Sequence, residues 1–455
     1  MHIQGNMTQM LAARAASGNP LRVGLIGAGK LGAMFINQVG RIPGVHLLGV
    51  ADLSADKARA AMRRAEWPAE RYAAMDYADA TRSGKTFLTE DAEKLIAADG
   101  LDVIVEATGV PSVGIRHAFA AIENRRHIVM LNAEADVLVG PLLAHKAAAA
   151  GVVYSMAYGD QPALICELVE WAQACGFDVI CAGKGSKHLP GSHKANPDNV
   201  WEYQGFSAER IARGEDNPRL QTTFADGTKC SIEMALVANA SGLIPQPDGL
   251  AFPPCSVDDL ATVLRPRSDG GVLSHKGTVE CASNMERDGR PVPRDIRLGV
   301  YVVFEAPNDF ITRSLGEYGV KMDPSGRYAA MYRPYHLVGL ELSVSVLRAG
   351  LLGQATGSSI YFTSDVVARA KRNLSSGEML DGEGGYTVYG GLRPAALAVQ
   401  GGELPVGLSD DMRLKRPIAE GEVIHWADVE YDESAYLIRL RREMEAKFAE
   451  RHPFQ

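Results

Sequence analysis

Leu21-Arg22-Val23-Gly24-Leu25-Ile26-Gly27-Ala28-Gly29-Lys30-Leu31-Gly32 is the stretch on which the fold turns. Its first half is an apolar run of strand length, glycines then recur at close spacing, and helical spacing follows from Leu31 to about Val39. His46-Leu47-Leu48-Gly49-Val50-Ala51 reads as a second strand. Strand, glycine turn, helix, strand is a unit that demands parallel strands joined by a right-handed crossover.

The three glycines have separable tasks. Gly27 permits the tight turn, Gly29 lets backbone approach a diphosphate, and Gly32 lets the helix pack closely on the strand. A diphosphate at that turn, beside Lys30 and Leu31, meets the unsatisfied N–H groups at the helix start. Asp52 lies 20 residues beyond Gly32, where a carboxylate accepts hydrogen bonds from adenosine ribose hydroxyls. It would repel a 2′-phosphate, so NAD is expected rather than NADP. The unit is read as the start of a Rossmann sheet.

Working outward, apolar strands are expected at Val103–Ala107, His127–Leu131 and Val152–Met156, separated by helices at Val113–Glu123 and Leu138–Ala149. This alternation is that of a doubly wound parallel α/β sheet. Ahead of it, Thr8–Ser17 reads as a short helix in an N-terminal arm, residues 1–20, and the NAD-binding domain spans 21–157. From 158 to 360 the pattern becomes α+β: a helix at Pro162–Ala174, a strand at Phe177–Ala182, and a Gly-, Lys- and His-rich loop. A hairpin is expected about Asp226-Gly227, pairing Gln221–Phe224 with Lys229–Val237. Val300–Glu305 and Leu337–Val346 add strand-like runs. Residues 361–455 read as a small all-β module ending in a charged helix from about Glu433 to Glu450.

Composition limits the function classes. Of 455 residues, 46% are hydrophobic and 22% charged, and the net charge of -8 argues against a nucleic-acid surface. No apolar run is long enough to span a membrane, and Met1–Pro20 lacks the build of a secretory signal. Six cysteines without C-x-x-C spacing point to neither a disulfide framework nor a zinc site, so a cytoplasmic, metal-independent protein is expected.

Several segments are candidates for chemistry. Thr108 and Gly109 end the strand Val103–Ala107 and are expected beside the cofactor, as is Asn132 one strand later. Glu134 either caps the next helix or reaches the nicotinamide side; Asp136 is read as a cap. Ala182-Gly183-Lys184-Gly185-Ser186-Lys187-His188 places lysines in a glycine-flanked loop, and Lys184 is the expected general acid or alkoxide stabiliser. Lys187, His193, Arg333 and His336 are candidate substrate contacts, Arg333 as an anion clamp. Asp160 either caps a helix or faces the substrate.

With these strings assembled, the chain resembles the homoserine dehydrogenase-like superfamily, and within it the branch that carries a C-terminal SAF domain. The resemblance is carried by Gly27–Gly32, Glu106-Ala107-Thr108-Gly109, Asn132-Ala133-Glu134-Ala135-Asp136-Val137, Gly159-Asp160-Gln161-Pro162, Ala182-Gly183-Lys184-Gly185 and Arg333-Pro334-Tyr335-His336-Leu337. The tail resembles SAF at Ala370-Lys371-Arg372-Asn373-Leu374 and at Leu414-Lys415-Arg416-Pro417-Ile418-Ala419-Glu420-Gly421-Glu422-Val423. That branch includes 1-deoxy-D-xylulose 5-phosphate reductoisomerase-like enzymes. The resemblance implies a middle domain that is catalytic and mediates dimerisation, hence a homodimer or homotetramer. The chain lacks the lysine that homoserine dehydrogenases place after the asparagine matching Asn132. The expected reaction is therefore hydride transfer between NAD and a small polyhydroxylated acid or sugar derivative. The alternatives are a reductoisomerase acting on a sugar phosphate or sugar acid, and a non-catalytic NAD sensor or SAF-mediated interaction protein.

Overall fold

The computed structural model describes residues 5–214 and 216–449. Residues 1–4 of the expected arm, Glu215 and the end of the expected C-terminal helix from Glu450 lie outside them. The chain divides into two compact units, 1–164 with 337–360 and 165–336 with 361–455.

In the first unit, β1 (Leu21–Ile26), β2 (Val45–Ala51), β3 (Phe87–Thr89), β4 (Val103–Glu106), β5 (His127–Met130) and β6 (Tyr154–Met156) make one sheet. Its order is β3-β2-β1-β4-β5-β6, with every pair parallel. This is the expected Rossmann arrangement, and it follows from sequence chemistry. Strands of a parallel sheet are covered on both faces, so they read as unbroken apolar runs such as Val103-Ile104-Val105. Val23, Leu25, Val103, Val105 and Val129 share a core with Phe35, Ile36 and Val39 of the helix Lys30–Val39. The strand order reverses between β1 and β4, which opens a crevice at their carboxyl ends.

Residues 337–360 return to this unit, and here the expectation of a strand fails. Leu337–Val346 contains no strand; a short helix, Ser343–Leu347, follows a turn at Gly339. Leu342 and Val346, four residues apart, are the side chains buried in the sheet's core, so the period that mattered was helical.

The second unit is built on a mixed sheet of β7 (Asp178–Ser186), β8 (Thr278–Ser283), β9 (Val300–Glu305), β10 (Lys321–Met322) and β11 (Tyr328–Arg333). Its order is β10-β11-β9-β7-β8, with β7 parallel to β8 and antiparallel to β9. The expected hairpin at Asp226-Gly227 is absent. Two helices stand there instead, Pro218–Asp226 and Thr228–Ser241, with Gly227 at φ +92° between them. Asp-Gly supplies a left-handed residue to either kind of corner. What decides for helices is that Asn217 caps the first one and that nearly every residue of the second is buried.

The tail contains β12 (Ser364–Ala370) and β13 (Val388–Pro394), paired antiparallel. A shorter pair, β14 (Arg413–Leu414) with β15 (Val429–Glu430), and a helix at Tyr436–Phe448 complete it. The tail does not separate as the module expected from 361 onward. The Ser231 hydroxyl donates to Gly390 O at 3.0 Å, and the Gly390 N–H donates to Thr228 Oγ1 at 2.8 Å. The Asn239 amide oxygen receives the N–H groups of Thr363 and Ser364. The helix Thr228–Ser241 is thus hydrogen-bonded to the tail along its length. Among the described residues, no helix is long and apolar enough to cross a membrane.

Candidate functional sites in the two units

The glycine turn after β1 is shaped by the turn after β4. A Cβ on Gly27, at φ +96°, would fall 2.5 Å from Ala107 O, so the first glycine is required by crowding at the switch point as well as by the turn. A Cβ on Gly32 would collide with Gly27 O, which fixes the close seating of the helix on the strand. At Gly29 nothing lies within 4 Å, so one side of the turn is open. Gly29 is also the first residue before the helix Lys30–Val39, and no side chain caps the N–H groups there. Asp52, just past β2, accepts the Ala28 N–H at 2.8 Å, which sets its carboxylate against the turn.

At the ends of β4 and β5 lies a buried polar cluster. Glu106 is fully buried; its Oε1 accepts the Thr108 N–H at 3.2 Å and the Thr108 hydroxyl, and faces His117 Nδ1 at 3.4 Å. Thr108 is therefore locked to β4, while Gly109, at φ +67°, has open space beside it. Asn132, not Asp136, caps the helix Ala133–Ala150, its Oδ1 accepting the Ala135 N–H at 3.2 Å. The expected cap Asp136 is instead buried, and burial pushes its carboxyl up to about 7, with Ser359 acting against the shift. Glu134 sits half-buried in the same first turn. Asp160 accepts the N–H of Gln161, the first residue of the helix Gln161–Ala174.

In the second unit Lys184 is not in a loop. It lies inside β7, opposite Cys281 of β8, and is only 6% exposed. Its flanking glycines have a packing cause. A Cβ on Gly183 would strike Glu280 O and the Tyr301 hydroxyl, and one on Gly185 would strike Ile296 O. The face of β7 opposite Lys184 is thus closed by neighbouring backbone.

The Lys184 ammonium makes an ion pair with Glu233 of the helix Thr228–Ser241, itself buried. Burial acts to lower the lysine pKa, but Glu233, with the thiols of Cys230 and Cys281, outweighs it, and the net direction is up. Cys230, beside the pair, also contacts Ser186 Oγ at 3.1 Å, and its thiol is brought down to about 7 by Cys281 and then Lys184. The sequence reading missed Glu233 because its segment was taken for a strand. The available signal was a lone carboxylate in the apolar run Ile232-Glu233-Met234-Ala235-Leu236-Val237.

The remaining candidates disperse. Lys187 borders a small recess near Gly205, and burial followed by the Arg297 charge lowers its pKa. His193 lies 5.3 Å from the Tyr389 ring and 3.4 Å from Glu420. Arg333 ends β11 and stacks on Tyr335 at 5.1 Å, and His336 contacts Leu298 O at 2.8 Å. Among the described residues, no three His, Cys, Asp or Glu side chains come together as a metal site would require.

Comparison with known proteins adds one family. Residues 159–342 match the catalytic domain of oxidoreductase DRL, a stretch that contains both Lys184 and Glu233. An oxidoreductase catalytic domain is what the sequence reading expected. No curated protein matches the chain. Solved structures that match parts of the chain include myo-inositol dehydrogenase from Lactobacillus casei, crystallised with NAD(H) and myo-inositol. It is 15% identical over 40% of this chain and 52% of its own, with a TM-score of 0.28. The chain thus spans about half the length of that enzyme. An NAD binding oxidoreductase from Klebsiella pneumoniae is 14% identical over 70% of this chain and 67% of its own, with a TM-score of 0.33. An oxidoreductase from Agrobacterium radiobacter, in complex with NAD+, L-tartaric acid and magnesium, is 13% identical over 36% of this chain and 44% of its own, at 0.28.

Proposed function

We propose that the chain is an NAD-dependent oxidoreductase acting on a small polyhydroxylated acid or sugar derivative, with Lys184 as the positive charge that meets the substrate oxygen. The observation that carries the cofactor part is the glycine turn at the β1/β4 switch point, open at Gly29 and uncapped at the helix that follows. That geometry fits a diphosphate: free N–H groups and the positive end of a helix dipole converge on open space. Gly27, Gly29, Lys30, Leu31 and Gly32 would hold the diphosphate, Asp52 the adenosine ribose, and Thr108, Gly109 and Asn132 the nicotinamide half. Bound there, the nicotinamide supplies the hydride acceptor or donor.

For the chain's own residues, the chemistry is electrostatic. Glu233 keeps Lys184 protonated, so the lysine acts as a fixed ammonium that stabilises a developing alkoxide rather than as a base. Glu233 is a positioning residue for that charge. Glu134 and Asp160 remain as candidates for proton exchange, and Lys187, His193, Arg333 and His336 for substrate contact. The membership in the homoserine dehydrogenase-like, SAF-bearing branch, the homo-oligomer and the cytoplasmic setting belong to the same proposal.

The test is NADH formation over a panel of sugar acids and polyols, with product carbon skeletons read by NMR. Turnover with NAD by the native chain, lost in Lys184→Ala while NAD still binds, is the expected result. Undiminished turnover in Lys184→Ala overturns the assignment of the lysine. A rearranged skeleton in the product replaces simple dehydrogenation with the reductoisomerase reading.

A further inference from the structure

The second unit holds a cavity that includes one candidate substrate contact, His193, and does not include Lys184 in its lining. Its volume is about 220 Å³, below the ~300–1,000 Å³ of pockets for drug-sized ligands, so its occupant is small. Four stretches wall it: the segment after β7 with His188 and His193, the corner at Asp226-Gly227, the loop Asp248–Phe252, and the β12–β13 pair with Arg369 and Tyr389. Glycines at 227, 249, 390 and 391 border it and keep it open.

Two features give it a chemistry. The first is an under-used cation. Arg369 and Tyr389 are partners in the β12–β13 register, and the guanidinium lies across Gly391, where a Cβ would fall 2.6 Å from Nε. Of the five N–H donors an arginine carries, the half-buried Arg369 gives one, to Gly421 O at 3.3 Å. The cavity's other basic group, His193, is already engaged by Glu420.

The second feature is a set of hydroxyl partners beside flat apolar faces. His188 stacks on Phe252 at 3.9 Å, and burial, then Arg287 and His193, brings its pKa down to about 4, so its ring is neutral at pH 7 with one donor and one acceptor. Asp226 behind the wall is closed to a ligand, its Oδ2 on Lys371 Nζ at 2.8 Å and its Oδ1 on the Thr228 N–H. Asp248 stands exposed at the rim. Carboxylates accept hydroxyls, and ring faces cover the C–H side of a sugar chain.

We infer that this cavity binds the acidic end of a small polyhydroxylated anion, a sugar acid or sugar phosphate, with Arg369 as the anion fork and His188 and Asp248 taking hydroxyls. The tail residues 364–394 thereby furnish part of the ligand site in a chain whose family match ends at 342. The inference rests on the oxidoreductase reading for its ligand class.

The test is calorimetric titration of the full chain with D-ribonate, D-ribose 5-phosphate and uncharged ribitol, with NAD titrated into the same preparations. One of the two anions binds and ribitol does not; which anion binds identifies the acid group. Arg369→Ala loses about 10- to 100-fold in that affinity, the worth of a hydrogen-bonded charge, while NAD affinity holds. Arg369→Lys, which keeps the charge without the fork, falls between. Equal binding by Arg369→Ala and the native chain overturns the proposal, as does equal binding of ribitol or failure of both anions. NAD binding in those same cases leaves the cofactor reading standing, and its absence from the native chain counts against that reading instead.

Discussion

The two units bury charged groups by two means. At the carboxyl ends of β4 and β5, Glu106 and Asp136 are interior acids with no lysine or arginine beside them among the described residues. Glu106 takes donors from Thr108, and Asp136 is driven toward its protonated form. In the second unit three interior cations have a counter-ion, Lys184 with Glu233, Lys371 with Asp226 and Arg441 with Asp365. Glu280 of β8 is instead held by backbone N–H groups, and burial pushes it up to about 7. A buried charge is neutralised by a proton or by a counter-ion, and the two solutions respond differently to mutation and to pH. An acid without a counter-ion makes stability a function of pH. A pair makes it a function of keeping both partners.

Breaking a pair in the second unit should give the largest effect. Glu233→Ala strands a buried ammonium and costs about 3–5 kcal/mol, read from denaturant unfolding. A cost near zero would remove the contrast. Exchange of the paired carboxylate for an amide, Glu233→Gln, should also bring the Lys184 pKa down, visible as a new titration in a turnover–pH profile.

In the first unit the matching experiment is Asp136→Asn. The folded pKa of about 7 lies above the ordinary 3.8. The acid is therefore harmless below pH 4; native stability falls as pH rises from about 4 to 7, where only the unfolded chain gives up its proton, and the penalty is constant above. At about 1.4 kcal/mol per pKa unit this amounts to a few kcal/mol. Asp136→Asn should flatten that slope and be the more stable chain at pH 8; an unchanged slope between pH 4 and 7 would dissolve the comparison.

Gly32→Ala sharpens it in another direction. Its Cβ meets fixed backbone at Gly27 O, so overpacking of about 1–3 kcal/mol is expected together with weakened NAD binding. The smallest effect is at Asp52. Asp52→Ser removes the repulsion of a 2′-phosphate and should narrow the preference for NAD over NADP by about tenfold, near 1.4 kcal/mol, in paired titrations. Tighter NADP than NAD binding by the native chain would overturn the role given to the carboxylate.

The first unit was legible because its signals are local. A glycine turn, an unbroken apolar strand and an acid after the next strand all act within about thirty residues, and the parallel sheet follows from the crossover rule. Three other points were read less well, two in the second unit and one in residues 337–346, each for a physical reason. Asp-Gly fits a β-turn and a helix–helix corner alike, since both need only a left-handed residue at Gly227. Gly-Lys-Gly looked like a loop, but its glycines answer to Glu280, Tyr301 and Ile296, residues about 100 positions away. Leu337–Val346 alternates on paper, whereas burial picked out Leu342 and Val346.

The sequence by itself determined the Rossmann sheet and the glycine turn at its switch point, and it singled out Lys184 as a candidate, because adjacency along the chain sufficed to state each of them. Only the tertiary structure decided that Lys184 is buried against Glu233, and that Arg369 and Tyr389 join His188 around one cavity. Those facts depend on which side chain is carried into which low-dielectric space, and spacing along a chain does not encode the counter-ion that a folded interior requires.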